Sequence, residues 1–282
     1  MKWVYVLATF CLAVQIACAV DSEPSYQGHT FSEWASQIDF TVPVMAGEEP
    51  PAYAAIRHIG TNSIPILLSW ISNQKAPKAM PNQVYKPPLW FSPARVEAAA
   101  MLFCLLGSEA RPAIPELTRY AMKFPDHERY DECVRALAGI GQDSLPAFNT
   151  LLTKGRPGVQ FSALEWLPAF GTNAIAVMPA VINCLVGKND EVADKSVDFF
   201  FQDSAVRGSV MTSALTNAMT HASAKGRMRI CRCFFFMSYN KPPAEQPWAA
   251  VPVLRAALKD PNPEVSNTAS NALVSIETSK QP

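Results

Sequence analysis

An apolar-proline step returns along this chain at Ile64-Pro65-Ile66-Leu67, Ile114-Pro115-Glu116-Leu117, Leu145-Pro146-Ala147-Phe148, Met178-Pro179-Ala180-Val181 and Val251-Pro252-Val253-Leu254. A sixth copy, Val210-Met211-Thr212, aligns with Val177-Met178-Pro179 and has lost its proline. The markers stand at 65, 115, 146, 179, 212 and 252, a self-similar spacing of a few tens of residues, and such a period means stacked structural repeats.

Each unit reads as a pair of helices. Val265, Ala269, Ala272, Leu273 and Ile276 make one apolar stripe at helical spacing, started by the polar, proline-bearing turn Asp260-Pro261-Asn262-Pro263-Glu264. Val251 to Lys259 is its partner. Gly60, Gly107, Gly141 and Gly171 mark helix stops, and Pro65, Pro115 and Pro146 sit near the starts of second helices, where a missing N–H costs little. Pro168 and Pro179 are expected later in their helices, as kinks. Strands should be few, because no segment shows β-branched alternation. The expected fold is all-α: a right-handed α-solenoid of about six helical hairpins, an α-α superhelix.

Residues 1–19 stand apart. Met1-Lys2, an apolar run from Trp3 to Ile16 and the small-residue step Ala17-Cys18-Ala19 form the pattern of a signal peptide, with cleavage expected after Ala19 and export to the periplasm or the extracellular space. An alternative makes Cys18 the acylated first residue of a membrane-anchored lipoprotein, although Gln15 stands where that motif usually has Leu. No transmembrane span is expected in the rest. Residues 20–49 form an N-terminal segment in which Thr30-Phe31-Ser32-Glu33 is a capping box opening a short helix with Trp34 and Ile38. The repeats occupy 50–278, interrupted by a proline-rich, aromatic-bearing insertion at 74–91, and 279–282 is a tail.

Charge excludes some partners. Without Lys2 the 24 basic residues become 23 against 24 acidic ones, so no electrostatic footprint for nucleic acid is present. Charged residues are 17% of the chain, below the usual quarter or so, so much of each helix should be buried. Cys104, Cys133, Cys184, Cys231 and Cys233 lie in apolar helical runs and read as core residues; Cys231 and Cys233 point about 200° apart on a helix and cannot pair.

With the pattern on the page, Pro252 to Ile276 resembles a HEAT-type repeat, as does Ala55-Ile56-Arg57-His58-Ile59-Gly60 leading into Ile64-Pro65. The segment Tyr26 to Trp34 is similar to the leader of exported bacterial HEAT-repeat proteins of uncharacterised role. The resemblance implies a partner-binding array without a common catalytic motif. Asn267 stands where that family often has Arg, so the Asp-Arg ladder between repeats is expected to be incomplete.

Chemistry-bearing motifs are sparse. There is no nucleophile elbow, no phosphate-binding glycine loop and no zinc-type histidine pair. His29, His58, His127 and His221 are scattered, and His58 is expected to contact helix-end carbonyls. Asp126-His127-Glu128 with Asp131 and Glu132 is the densest cluster; it reads as a charged first turn, with a metal site as the alternative. Lys225, Arg229 and Arg232 stand at i, i+4 and i+7 with Phe236 on the same face, either as a partner-binding patch or as a solvated surface. At least one ring of Phe199-Phe200-Phe201 and of Phe234-Phe235-Phe236 must face away from the core. The expected function is a non-catalytic scaffold presenting a concave helical surface to a protein or peptide, with no cofactor. The alternative is a metal-dependent enzyme or metal binder built on Asp126–Glu132.

Overall fold

The computed structural model describes residues 23–38, 49–72, 92–125, 127–202, 209–239 and 243–278. The expected signal peptide, the 74–91 insertion, the tail and Asp126 lie outside the described residues. Two compact units divide at Ala98 and Ala99.

In the first unit, β1 (Ser25–Tyr26) and β2 (His29–Thr30) form a two-stranded antiparallel hairpin. It feeds α1 (Phe31–Ser36), whose capping box is complete: Glu33 N–H donates to Thr30 Oγ1, and Thr30 N–H donates to Glu33 Oε2 at 2.7 Å. Phe31 and Trp34 are buried, and the Phe31 ring meets Trp70 at 5.6 Å. Helix α1 packs on α2 (Pro51–Ile59), which turns into α3 (Ile64–Ser72). His58 lies against the Tyr26 ring at 4.0 Å and is exposed, so its contact is a ring face rather than the carbonyls expected.

Helix α4 (Ser92–Leu106) contains the division between the units. The second unit continues with α5 (Ile114–Lys123), α6 (His127–Ile140), α7 (Leu145–Lys154), α8 (Pro157–Trp166), α9 (Met178–Leu185), α10 (Asp190–Gln202), α11 (Ser209–Met219), α12 (Ala224–Ser238), α13 (Val251–Ala257) and α14 (Pro263–Thr278). Helices α6, α8, α10, α12 and α14 pack each on the next in one layer. In the other layer α5, α7, α9 and α11 do the same, and the turn at 248–250 carries the contact on from α11 to α13. Each helix of one layer also packs on its chain neighbour in the other, so the unit is an all-α solenoid of hairpins.

The repeated sequence step makes the repeated turn. Gly60, Gly107, Gly141 and Gly171 have φ of 56°, 55°, 93° and 51°; the first three directly follow a first helix, and Gly171 lies inside the 3-10 segment Leu167–Val177 after α8. With ψ near −134° at Gly60 and −156° at Gly141, the backbone enters a region that a Cβ makes costly. A short 3-10 segment follows, closed twice by a buried serine: Ser63 donates to Gly60 O and Ser144 to Gly141 O, each at 2.7 Å. Pro65, Pro115, Pro146, Pro179 and Pro252 are then the second residues of α3, α5, α7, α9 and α13. Pro179 therefore opens its helix instead of kinking it, and Pro168 opens the 3-10 segment after α8. Thr212, in the first turn of α11, is 2% exposed.

Two expectations need correction. Cys104 is exposed, while Cys133, Cys184, Cys231 and Cys233 are buried. Cys104 lies against Gly139, where α4 and α6 approach so closely that a Cβ on Gly139 would stand 2.6 Å from Cys104 Cα. Second, Pro157–Leu185 is long and apolar enough to cross a bilayer by length and composition, contrary to the reading of the sequence. Its φ/ψ break at Gly171 divides it, and half of its most apolar 18-residue window is buried within the solenoid.

Candidate functional site

The first-helix layer has seams at which polar side chains reach from one repeat to the next. At the α6–α8 seam Asp131 accepts hydrogen bonds from Ser162 Oγ and from Trp166 Nε1, the latter at 3.2 Å. Glu132 pairs with Arg135 at 3.6 Å, and the His127 ring meets Tyr130 edge-on at 5.1 Å. The side chains of the acidic cluster thus turn to three different neighbours, and no group of three metal-ligating side chains converges among the described residues.

At the α10–α12 seam the predicted basic stripe comes together, but not as a free surface. Arg229 is 1% exposed. Its Nη2 donates to Asp190 Oδ1 at 2.7 Å, its Nη1 to Gly187 O at 3.4 Å, and its Nε lies 3.4 Å from Asp194 Oδ1. Lys225 Nζ donates to Asp190 Oδ2 at 2.6 Å, and Arg232 Nη1 is 3.7 Å from Asp194 Oδ1. The expectation of a solvated face or an open cationic patch fails at its centre. The side of α12 opposite Phe234 and Met237 faces α10, so the stripe runs along a seam where cations must be answered by carboxylates. The Lys225 ammonium, and then the Arg229 guanidinium, hold the Asp190 carboxyl below its ordinary range. A second cross-repeat pair joins α12 to the turn before α14, where Arg227 donates from Nε and Nη2 to Asp260 at 2.7 and 3.0 Å. The guanidinium keeps the Asp260 carboxyl low as well. Asn267 on α14 is exposed.

Past the ionic row the seam becomes aromatic. Phe199 and Phe200 are buried and Phe201 is 47% exposed, while Phe234 is buried and Phe235 and Phe236 are half-buried. The rings form a chain: Phe201 to Phe236 at 5.0 Å, Phe236 to Phe235 at 5.6 Å, Phe235 to Tyr239 at 5.9 Å. Between α12 and α14 the Phe235, Phe236 and Tyr239 rings wall a groove of about 560 Å³, completed by Arg232, Asn271 and Val274. Ser238 and Ser275, joined by a 2.8 Å hydrogen bond, tie the two helices together beside it. Tyr239 at 53% and Val274 at 58% exposure leave the groove apolar and open.

Of the four predicted site residues, Arg232 and Phe236 line this groove, whereas Lys225 and Arg229 belong to the ionic row. Sequence reasoning missed Phe201, Tyr239 and Val274. Val274 carried a signal, since it lies off the stripe formed by Val265, Ala269, Ala272, Leu273 and Ile276. Burial pushes the Cys184 thiol up to about 11 and Cys231 up to about 12, and raises Cys233 too, which disfavours the thiolate at these three positions.

No family model and no curated protein matches the chain. Solved structures that align with it include a designed armadillo repeat protein at 16% identity, covering 76% of this chain and 99% of that one with a TM-score of 0.33. A designed armadillo repeat protein in complex with the peptide (KR)4 aligns at 14% identity, covering 76% and 99%, with a TM-score of 0.36. An engineered protein aligns at 17% identity, covering 78% and 98%, with a TM-score of 0.37. The fold assignment rests on the helix packing described above.

Proposed function

We propose that this chain is a non-catalytic binding scaffold that takes a protein or peptide on the open face of its first-helix layer, at the α12–α14 groove. The observation that carries this reading is the chain of rings from Phe201 to Tyr239, left half-exposed beside Val274 in a solenoid that buries Phe103, Phe148, Phe170, Phe199, Phe200 and Phe234. An open apolar groove with a charged rim is the form of a docking site, and large aromatic anchors dominate the energy of such contacts. The stacked hairpins hold the groove rigid, which lowers the ordering cost of binding.

The same proposal places the protein outside the cytoplasm, supported by the n-region, apolar run and Ala17-Cys18-Ala19 step of the sequence. N-terminal mass spectrometry on protein from its producing cell should find Val20 first. Retention of Met1 refutes export, and a lipidated Cys18 replaces free export by anchoring.

Panning a random-peptide display library on the purified protein tests the binding reading. Enriched sequences should bind at least about ten-fold more weakly, a loss of about 1.4 kcal/mol, to Phe201→Ala and Phe236→Leu. Absence of enrichment, or enriched peptides indifferent to both substitutions, refutes it.

A further inference from the structure

The groove between α12 and α14 is built from one face of each helix. Arg232, Phe235, Phe236 and Tyr239 stand at i, i+3, i+4 and i+7 on one wall, and Thr268, Asn271, Val274 and Ser275 form the other. Its lining holds a single charge. Arg232 Nη1 lies 3.7 Å from Asp194 Oδ1, outside hydrogen-bond reach, and that same oxygen lies 3.4 Å from the Nε of the buried Arg229. Among the described residues the Arg232 guanidinium, 39% exposed, makes no hydrogen bond, and neither does the exposed Asn271 amide. The Thr268 hydroxyl, by contrast, donates to Glu264 O at 2.6 Å. Asp190, Asp194 and Asp198 stand on α10, one seam away, so the polar part of the lining offers N–H donors and no carboxylate. Arg, Phe and Tyr are also the residues in which interface energy concentrates. A guanidinium with open donors recognises a carboxylate, whereas a cation brought beside Arg232 meets nothing acidic in the lining.

The source of that carboxylate follows from the helices. The groove residues lie past the first turn of α12 and α14, where backbone N–H groups are committed to helical bonds, and Tyr239 N–H donates to Phe235 O at 3.0 Å. No backbone nest is left to capture a chain terminus, so the carboxylate belongs to a side chain. One guanidinium is no basic track for a phosphate backbone.

Resting on the binding reading above, we propose that the groove takes an acidic, apolar peptide segment: an aromatic or large aliphatic side chain seats against Phe236, Tyr239 and Val274, and the carboxylate of an Asp or Glu next to it in the peptide accepts from Arg232.

Fluorescence anisotropy on the purified full chain tests this with labelled, end-blocked Gly-Ser peptides that each carry one central pair: Phe-Glu, Phe-Gln, Phe-Lys or Ala-Glu. Phe-Glu should bind tightest, by about three- to five-fold over Phe-Gln and by about ten-fold or more over Phe-Lys and Ala-Glu. Arg232→Gln removes a half-exposed cation and leaves Asp194 to Arg229, so circular dichroism should be unchanged. It should bring Phe-Glu down to the level of Phe-Gln and leave Phe-Gln as it was. Equal binding of Phe-Glu and Phe-Gln, or a Phe-Glu preference that survives Arg232→Gln, overturns the acidic assignment and leaves the groove as a binding site. Indifference of both peptides to Phe236→Leu and Tyr239→Ala, or no binding by any of the four, overturns the groove itself. Tighter binding by a peptide ending in a free Phe carboxylate, or by oligothymidylate, gives Arg232 to a chain terminus or to nucleic acid and overturns the acidic side chain.

Discussion

The α6–α8 and α10–α12 seams occupy the same place two repeats apart and solve the same problem with opposite polarity. At the first, the acid Asp131 is answered across the seam by neutral donors, one of them the fully buried Ser162. At the second, the base Arg229 is the fully buried member, answered by Asp190 and Asp194, which remain more than half exposed. Helix packing requires only that what is buried be matched, so the stack tolerates either arrangement. The consequences at the surface differ. Hiding the cation lifts a row of carboxylates into water, and that row leads directly to Asp198 and the exposed rings. The repeat's geometry is thus indifferent to a choice that decides which charges the face exposes.

The largest expected effect comes from stranding the buried cation. Asp190→Asn combined with Asp194→Asn leaves Arg229 inside the seam with neutral carbonyl acceptors alone, and a guanidinium at 1% exposure without a counter-charge costs about 3 kcal/mol. In thermal unfolding the double variant should lose several degrees. Arg229→Met, which removes the cation and keeps the bulk, should stay within about 1 kcal/mol of wild type, because the stranded carboxylates are already in water. If Arg229→Met is the more damaging of the two, the seam is held by the guanidinium's packing rather than by charge matching, and the contrast between the seams collapses.

At the α6–α8 seam the expected loss is smaller. Asp131→Leu leaves the Ser162 hydroxyl and the Trp166 indole N–H without their acceptor, at about 2 kcal/mol for one buried and one half-buried donor. Adding Ser162→Ala should recover part of that loss by removing the fully buried donor. A double variant no more stable than Asp131→Leu breaks the account of this seam as a matched acceptor.

These two seams also separate what was legible in the sequence from what was not. The architecture was written in local chemistry: a glycine needing positive φ, a proline tolerated at a helix start, a capping box, an apolar stripe. Each acts within a few residues, so Gly141 with Pro146 and Thr30 with Glu33 place their elements without knowledge of the rest. Pro179 was misplaced because the apolar run through Pro168 and Gly171 hides where α8 ends. The site depends on pairs one repeat apart. Arg229 reads as one member of a surface stripe until Asp190 and Asp194, 39 and 35 residues earlier, are known to lie across the seam. Those two acids at i and i+4, one period before an i, i+4, i+7 run of bases, were the available signal. Phe201 and Phe236 were half legible: the triplets required some ring to leave the core, but which ring depends on the rotation of each helix against its neighbours.

Acidification sharpens the comparison by a smaller effect. Asp190, held low first by Lys225 and then by Arg229, and Asp260, held low by Arg227, are both carboxyls whose folded pKa lies below the unfolded value of about 3.9. A depressed carboxyl contributes stability that is complete above the unfolded pKa and disappears as pH falls through the lowered folded one. Stability should therefore decline below about pH 4, with part of that decline belonging to the α10–α12 seam. In Asp190→Asn the limb should be shallower, since Asn has no proton to take up, while Asp260 still titrates against Arg227. Because Asp190 is exposed and its pairs are screened, the change in slope should diminish at high salt. Melting curves from about pH 6 to pH 2 for wild type, Asp190→Asn and Asp260→Asn measure it. Equal acid limbs in wild type and Asp190→Asn mean that the exposed carboxylate adds nothing to stability through its charge.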